Sequence, residues 1–420
     1  MRDVAWISDA SGATIARGGD GELQRVVIDS REAGPGDLFV GFVGEHEDGG
    51  RFAGAALEAG AWGVLVAPVH ADGLPAGGAV FTSHSPLISL QALARAWRRA
   101  LGVPVIGITG SVGKTTTKDL LRAMLAPVRR VHASRANFNT EIGLPLELLR
   151  APEDTEVIVL EMGMRGTGQI AELAAIAEPD VGVVTALGEV HLELLGSMDA
   201  IIRTKAELLQ RVRVAVIPDG EDRMDPYIPA GVEIVRFGRD GSVLDGLELP
   251  SAAAHMRMNA MAAVAAARAV GVEPAGRVEV ELSAMRGQRV EVPGGATVVE
   301  DCYNANPLSM RAALDDLAAS SPSGRRIAVL GDMLELGPTE RDLHRAVGAY
   351  AAQAGVDVLV TVGDLAAEMA PAFGGESHVV ASAAEAAALV PGLVGPGDLV
   401  LVKASRGVAL EAVTEALRHG

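Results

Sequence analysis

Three observations predict an α/β protein of three domains: a small N-terminal α/β domain, a central domain on a mostly parallel sheet and a C-terminal Rossmann-like domain. Short apolar runs alternate with helical stretches along most of the 420 residues. One run, 105–108, opens onto Thr109-Gly110-Ser111-Val112-Gly113-Lys114-Thr115-Thr116, a glycine turn entering a helix. Breaks at Leu101-Gly102-Val103-Pro104 and near Arg289 divide the alternation into three units. Such alternation implies parallel strands covered by helices on both faces.

Residues 1–100 hold strands over 25–28, 37–40 and 63–66, with helices over 52–59 and 87–100, a small α/β domain. Residues 101–288 place strands at 105–108, 157–160, 181–185 and 214–217. Helices over 116–125, 168–176 and 198–210 alternate with them, and the alanine-rich stretch 259–270 closes the unit. Residues 289–420 continue with strands over 297–300, 326–330, 358–362 and 399–403 and helices over 308–319 and 339–353. That is a second doubly wound, Rossmann-like domain.

Composition narrows the function. Hydrophobic residues make up 49% of the chain and aromatics only 3%, so its cores are aliphatic. A formal charge of −18 with no basic tract argues against a nucleic-acid partner, and any anionic substrate must meet a local positive site. One cysteine, Cys302, excludes disulfide frameworks and thiolate zinc clusters and suits a reducing cytosol. The start Met1-Arg2-Asp3-Val4-Ala5-Trp6 lacks the pattern of a signal peptide. No stretch approaches the roughly 18 to 20 apolar residues of a membrane span. A cytoplasmic protein is expected.

The run 105–117 describes a phosphate cradle, with turn amides and a positive helix end facing the anion. Lys114 is placed to reach the terminal phosphates of a nucleoside triphosphate, and the Thr115 hydroxyl to hold Mg²⁺. The usual first glycine of such a loop is replaced by Ile108, and Gly107 sits one residue too early to serve. Glu161 ends the next strand, where Mg²⁺ or an attacking group is handled, and His191 follows the strand over 181–185. Glu161 and His191 supply oxygen and nitrogen ligands for a second divalent ion, and Lys205 lies on a helix soon after. Three polar runs then follow C-terminal strands: Asp301 to Asn306 with Asn304 between, Gly331 to Gly337, and Lys403-Ala404-Ser405-Arg406. Three such clusters at consecutive strand ends predict a binding edge.

Together these motifs resemble the Mur ligase family, and within it the branch that adds D-alanyl-D-alanine. The carrying residues are Asp29-Ser30-Arg31, the loop 109–116, Asn137-Phe138-Asn139-Thr140, Glu161-Met162-Gly163-Met164 and His191-Leu192-Glu193. Lys205-Ala206-Glu207, Tyr303-Asn304-Ala305-Asn306-Pro307, Gly331-Asp332-Met333-Leu334-Glu335-Leu336-Gly337 and the run 403–407 complete them. The resemblance implies a UDP-binding N-terminal domain, a central ATPase domain and a C-terminal Rossmann-like domain. It implies ATP-dependent joining of D-Ala-D-Ala to a UDP-N-acetylmuramoyl-tripeptide through an acyl phosphate, by a monomer.

The same match implies that Lys205 is carbamylated and binds metal with Glu161 and His191. It places Asn259 at adenine, Arg289 at a nucleotide phosphate and Asp301 at the ribose. Ser30 and Arg31 fall at the UDP moiety. Asn137, Asn139, Asn304, Asn306, Lys403, Ser405 and Arg406 fall at the substrates.

The chain also departs from the family pattern. Ala186 and Met256 stand where asparagines are usual, Ala404 replaces a glycine, and 238–255 is short. A sister ligase adding another amino acid is the nearest alternative, but the Asp-Asn-Pro-Arg-like signature of those adding diaminopimelate or lysine is missing. A P-loop regulator leaves the clusters at 301–306 and 331–337 unexplained. A dehydrogenase lacks its Gly-x-Gly-x-x-Gly after the first C-terminal strand.

Overall fold

The structure is a computed structural model and describes residues 2–44, 46–135, 137–188, 192–251 and 253–419. The N-terminal sheet contains β1 (Thr14–Arg17), β2 (Arg25–Val27), β3 (Asp37–Val40), β4 (Gly63–Val66) and β5 (Ala79–Thr82). Its order is β1-β5-β4-β3-β2, parallel except for β1. The helix Pro86–Leu101 follows, opened by proline in its first turn and closed by Gly102 at φ 64°. Its buried Leu90, Leu93 and Trp97 share one apolar core with the N-terminal strands and with Leu144 and Leu173 of the next unit.

The central sheet contains β6 (Val105–Thr109), β7 (Val131–Ala133), β8 (Val157–Glu161), β9 (Val181–Val184), β10 (Val214–Pro218) and β11 (Glu233–Phe237). All pairs are parallel, in the order β11-β10-β9-β6-β8-β7. Strands β6, β8 and β9 are buried along their whole length, as their unbroken apolar runs require. One face packs on the helices Lys114–Leu125 and Ala254–Ala269. The other takes Gln169–Ala177 and the segment that holds Leu208 and Leu209. The helix expected over 198–210 is α-helical only over Met198–Ala206 and tightens into a 3-10 turn over Glu207–Arg211. The short 238–255 segment contributes a 3-10 turn over Gly241–Leu244 and β12 (Leu247–Glu248), which pairs with β13 (Gly276–Arg277).

The C-terminal sheet contains β14 (Gln288–Val292), β15 (Ala296–Asp301), β16 (Arg326–Gly331), β17 (Val358–Val362), β18 (Glu376–Val380) and β19 (Leu399–Lys403). Its order is β14-β15-β19-β16-β17-β18, parallel except for the β14–β15 hairpin. The three polar clusters follow β15, β19 and β16, which are neighbours, so they do meet along one edge. Among the described residues, no helix is long and apolar enough to cross a membrane.

Candidate active site

Strand β6 delivers the loop 110–113 to the centre of the sheet edge. Gly110 and Gly113 have φ of 151° and 85°. A β-carbon at Gly110 would collide with the Thr185 hydroxyl, and one at Gly113 with the Asn259 carboxamide. Glycine is therefore required at both positions. The loop is stitched to the neighbouring strand end: Ser111 N donates to Ala186 O at 2.7 Å, and Thr185 Oγ1 donates to Val112 O at 2.6 Å. Ser111 Oγ donates to Gly188 O and accepts from Gly188 N, each at 3.0 Å. Lys114 opens the helix Lys114–Leu125 and its Nζ donates to Gly110 O at 2.8 Å, across the loop mouth. The Lys114 amine and the positive end of its helix thus lie at the loop mouth, where an anion is favoured. Among the described residues Thr109 Oγ1, at the root of the loop, is buried without a hydrogen-bond partner, and Thr116 lies in the first turn of the helix.

Gly107 has a different role. A β-carbon there would stand 3.0 Å from Leu208 Cδ1 and Met162 Cε, so the residue makes room for packing beneath the loop.

Thr115 Oγ1 donates to Glu161 Oε2 at 2.7 Å, and Asn139 Nδ2 donates to Glu161 Oε1 at 2.9 Å. Glu161 N donates to Ser134 Oγ at 3.0 Å, which fixes the carboxylate at the end of β8. Burial alone would raise the Glu161 carboxyl, but Lys114, Arg286, the Thr115 hydrogen bond and Lys118 hold it below the usual carboxylate range. Burial lowers Lys114, against the pull of Glu161.

Lys205 is 2% exposed and lies at the C-terminal end of Met198–Ala206. Burial, and then Lys114, push its amine well below the usual lysine range. Its Nζ has no hydrogen bond or ion pair among the described residues. His191 lies outside the described residues, and among those described no cluster of three His, Cys, Asp or Glu side chains forms. The hydroxyl of Thr115 and carboxylate of Glu161 nevertheless fit a hard divalent cation. A cationic Lys205 would not, and a carbamylated one would.

The cation that reaches this pair is one the sequence reading missed. Arg286, just before β14, lies 3.9 Å above the Tyr303 ring, and its charge acts on both Lys114 and Glu161. Arg289 instead faces outward on β14, with Nη2 donating to Asp316 Oδ2 at 3.0 Å and to Ser320 Oγ at 2.9 Å. Only the fold could reveal the difference, because nothing local distinguishes the two arginines of Arg286-Gly287-Gln288-Arg289. Asn259, on Ala254–Ala269, sits against Gly113 and so borders the nucleotide loop.

The C-terminal clusters are knit to one another. Lys403 is 1% exposed, and its Nζ donates to Asp301 Oδ2 at 2.6 Å and Asn304 O at 3.0 Å. Ser405 Oγ accepts from Leu334 N at 3.0 Å, while Ser405 N donates to Asp332 O at 3.0 Å. Asn306 is buried: it caps Pro307–Ala319 in a reciprocal box with Ser309. Asn304 is exposed, with Oδ1 accepting from Ala305 N. Arg406 is exposed and paired with Glu411. Asp301, Lys403, Ser405 and Asn306 thus hold the shape of the edge. In the N-terminal domain Arg31 is exposed and doubly bonded to Asp29, whose carboxyl it pulls to about 2, beside Ser30 in the turn Ser30–Glu32. Asn137 is exposed.

A phosphate loop at the edge of a parallel sheet, an acid–hydroxyl pair suited to Mg²⁺ and a buried amine define an ATP-dependent enzyme of the P-loop class. The models of the Mur ligase middle domain and of the Mur ligase glutamate ligase domain match residues 108–254 and 285–406. The chain belongs to the Mur ligase family. It is 35% identical to the UDP-N-acetylmuramoyl-tripeptide–D-alanyl-D-alanine ligase of Bacillus subtilis, over 94% of this chain and 93% of that one. It superposes on MurF from Acinetobacter baumannii with a TM-score of 0.88 at 27% identity, covering 100% of this chain and 99% of that one. The MurF ligase of Thermotoga maritima in complex with ADP gives a TM-score of 0.80 at 28% identity, covering 94% and 97%.

Proposed function

We propose that the chain joins D-alanyl-D-alanine to the carboxylate of a UDP-N-acetylmuramoyl-tripeptide, consuming ATP and yielding the pentapeptide precursor of peptidoglycan, ADP and phosphate. The observation that carries this reading is the Thr115–Glu161 pair at the helix end of the loop 110–113, with buried Lys205 near enough to Lys114 to feel its charge, in a chain similar over nearly its full length to ligases of that name. The tripeptide carboxylate attacks the γ-phosphorus of ATP, ADP departs, and the amine of the dipeptide attacks the acyl phosphate. The tetrahedral adduct then collapses to amide and phosphate.

Every reactant carries a carboxylate or phosphate, so catalysis is positioning and charge neutralisation. Lys114, the loop amides and Arg286 bear on the phosphates. Thr115, Glu161, His191 and carbamylated Lys205 hold Mg²⁺, which supplies neutralisation of the phosphate charge. The unprotonated state favoured by burial makes the Lys205 amine a nucleophile for CO₂, giving a carbamate and one released proton.

Residues 1–100 bind the UDP end with Ser30 and Arg31, 101–288 bind ATP with Asn259 at adenine, and 289–420 supply the dipeptide edge with Asn304. Asn137 and Asn139 approach the tripeptide. Since every group invoked belongs to one chain and the single cysteine, Cys302, suits a reducing cytosol, we read a cytoplasmic monomer. Phosphate release from ATP with UDP-linked tripeptide tests this: turnover must require D-Ala-D-Ala. Turnover that ignores the dipeptide overturns it.

A further inference from the structure

Two neighbouring charged residues on the phosphate-loop helix are buried, and beyond the pull of Lys118 on the Glu161 carboxyl neither has a part in the chemistry above. Lys118 and Asp119 are 2% and 5% exposed, and Lys118 Nζ lies 3.3 Å from Asp119 Oδ1. Burying such a pair is costly, and apolar residues of similar size serve stability as well or better. Its partners suggest what else it does. Lys118 Nζ donates to Ser134 O at 2.8 Å, and Ser134 Oγ accepts from Glu161 N. Asp119 Oδ2 accepts from Ser283 N at 2.9 Å, 164 residues along the chain.

Ser283 begins the connector that leaves the central domain and enters β14. That connector is stiff: Gln288 Oε1 accepts from Met285 N at 2.9 Å, and Gln288 Nε2 donates to Leu282 O at 3.0 Å. Met285 is held at φ 58°, a left-handed conformation that a non-glycine residue adopts only when its surroundings impose it. Tyr303 N donates to Met285 O at 3.3 Å, and Gly287 N donates to Glu300 O at 2.9 Å. Arg286 lies between these ties, on the Tyr303 ring. A continuous path therefore runs from the Glu161 backbone through Ser134, Lys118, Asp119 and Ser283 to Arg286.

We infer that the Lys118–Asp119 pair is a positioning device: by holding the connector at Ser283, Asp119 delivers Arg286 to the phosphate site opposite Glu161. This rests on Arg286 acting at the phosphates in the ligase reaction proposed above. Lys118 holds Asp119 in place while tying it to the strand end that holds Glu161.

The test compares Lys118→Met/Asp119→Leu, which removes the acceptor without leaving a lone buried charge, with Lys118→Met/Asp119→Asn, which keeps an acceptor for Ser283 N. Both should bind ADP within about threefold of the parent by calorimetry, because the loop and Lys114 are intact. The leucine pair should lose kcat by about tenfold or more with little change in KM for ATP, and the asparagine pair should recover most of it. Full kcat in the folded leucine pair, or equal losses in both, overturns the inference. Should the leucine pair not fold, hydrogen exchange of the parent protein decides. A Ser283 amide slowed about a hundredfold sustains the anchor, and free exchange overturns it. A parent protein without dipeptide-dependent turnover would overturn the ligase reading, while the Ser283 measurement still decides the anchoring.

Discussion

Gly107 and Gly182 stand side by side in register on β6 and β9, and Leu208 fills the space that both missing β-carbons leave. A β-carbon on Gly182 would stand 3.0 Å from Leu209 Cδ2 and 3.2 Å from Leu208 Cγ. The notch seats the turn Glu207–Arg211, and one helical turn earlier that seating buries Lys205. Gly182→Ala should therefore overpack the notch, cost about 1–3 kcal/mol, and shift Lys205 outward. Thermal denaturation reads the first effect. Steady-state kinetics should show kcat down by about tenfold or more with ADP affinity retained, since small displacements of catalytic groups are expensive. Unchanged kcat in a destabilised variant would separate the notch from catalysis.

Lys205→Ala should abolish turnover, because the side chain proposed to hold the metal is gone. If the working group is a carbamate, formate or acetate should take its place and restore part of the rate. Absence of rescue at any carboxylate concentration counts against carbamylation. Mass measurement of the intact protein in bicarbonate is the independent check.

How much of this was legible in the sequence depended on the surroundings of each segment. Strands β6, β8 and β9 are buried on both faces, so their apolar runs are continuous and easily read. Strands β1, β7, β11 and β18 lie at sheet edges, partly exposed, and carry no such run. Lys114, Thr115 and Glu161 were legible because their spacing and strand-end positions carry the chemistry. Arg286 was not, since only the β14–β15 hairpin turns it toward the central domain. Polar residues at strand ends look alike in sequence whether they face a ligand or tie loops together. Lys403 and Asn306 are of the second kind in this structure.

The contact between Gly113 and Asn259 predicts a non-additive pair. Gly113→Ala brings a methyl group onto the Asn259 carboxamide and also forces a side chain to φ 85°. Asn259→Ala removes the clash but not the backbone strain. The double variant should be more stable than the sum of single losses predicts, with a coupling of about 0.5–3 kcal/mol. Denaturant melts of the four proteins measure it, and strict additivity would mean the loop moves away from Asn259.

Lys403→Met leaves Asp301 without its buried cation and Asn304 O without a donor. Breaking such a pair from one side costs about 3–5 kcal/mol, and the partial exposure of Asp301 places this case toward the lower figure. Asp301→Asn keeps an acceptor for Lys403 and should cost less. Chemical denaturation of the two variants gives the order, and a milder loss in Lys403→Met would show that the amine is not a structural tie.

His344 makes the C-terminal edge sensitive to acid. Its ring is fully buried, with Nε2 facing Met333 N at 2.9 Å and Nδ1 facing Glu340 O at 2.6 Å. The backbone N–H of Met333 can only donate, so Nε2 accepts and the proton sits on Nδ1. A second proton would remove the acceptor that holds the Gly331–Gly337 loop. Burial lowers the histidine below its ordinary 6.5, against the opposing pull of Glu340, Asp332 and Glu368. A lowered folded pKa means that the unfolded chain binds the proton first. The contribution is therefore complete above pH 6.5 and is lost as pH falls from there through the folded value, at up to about 1.4 kcal/mol per pH unit. His132 and His255 are shifted the same way by burial and add to the slope. Melting curves between pH 8 and pH 5 should thus fall less steeply for His344→Gln than for the parent, whatever the variant's stability at pH 8. Parallel curves would show that His344 takes up its proton equally in both states.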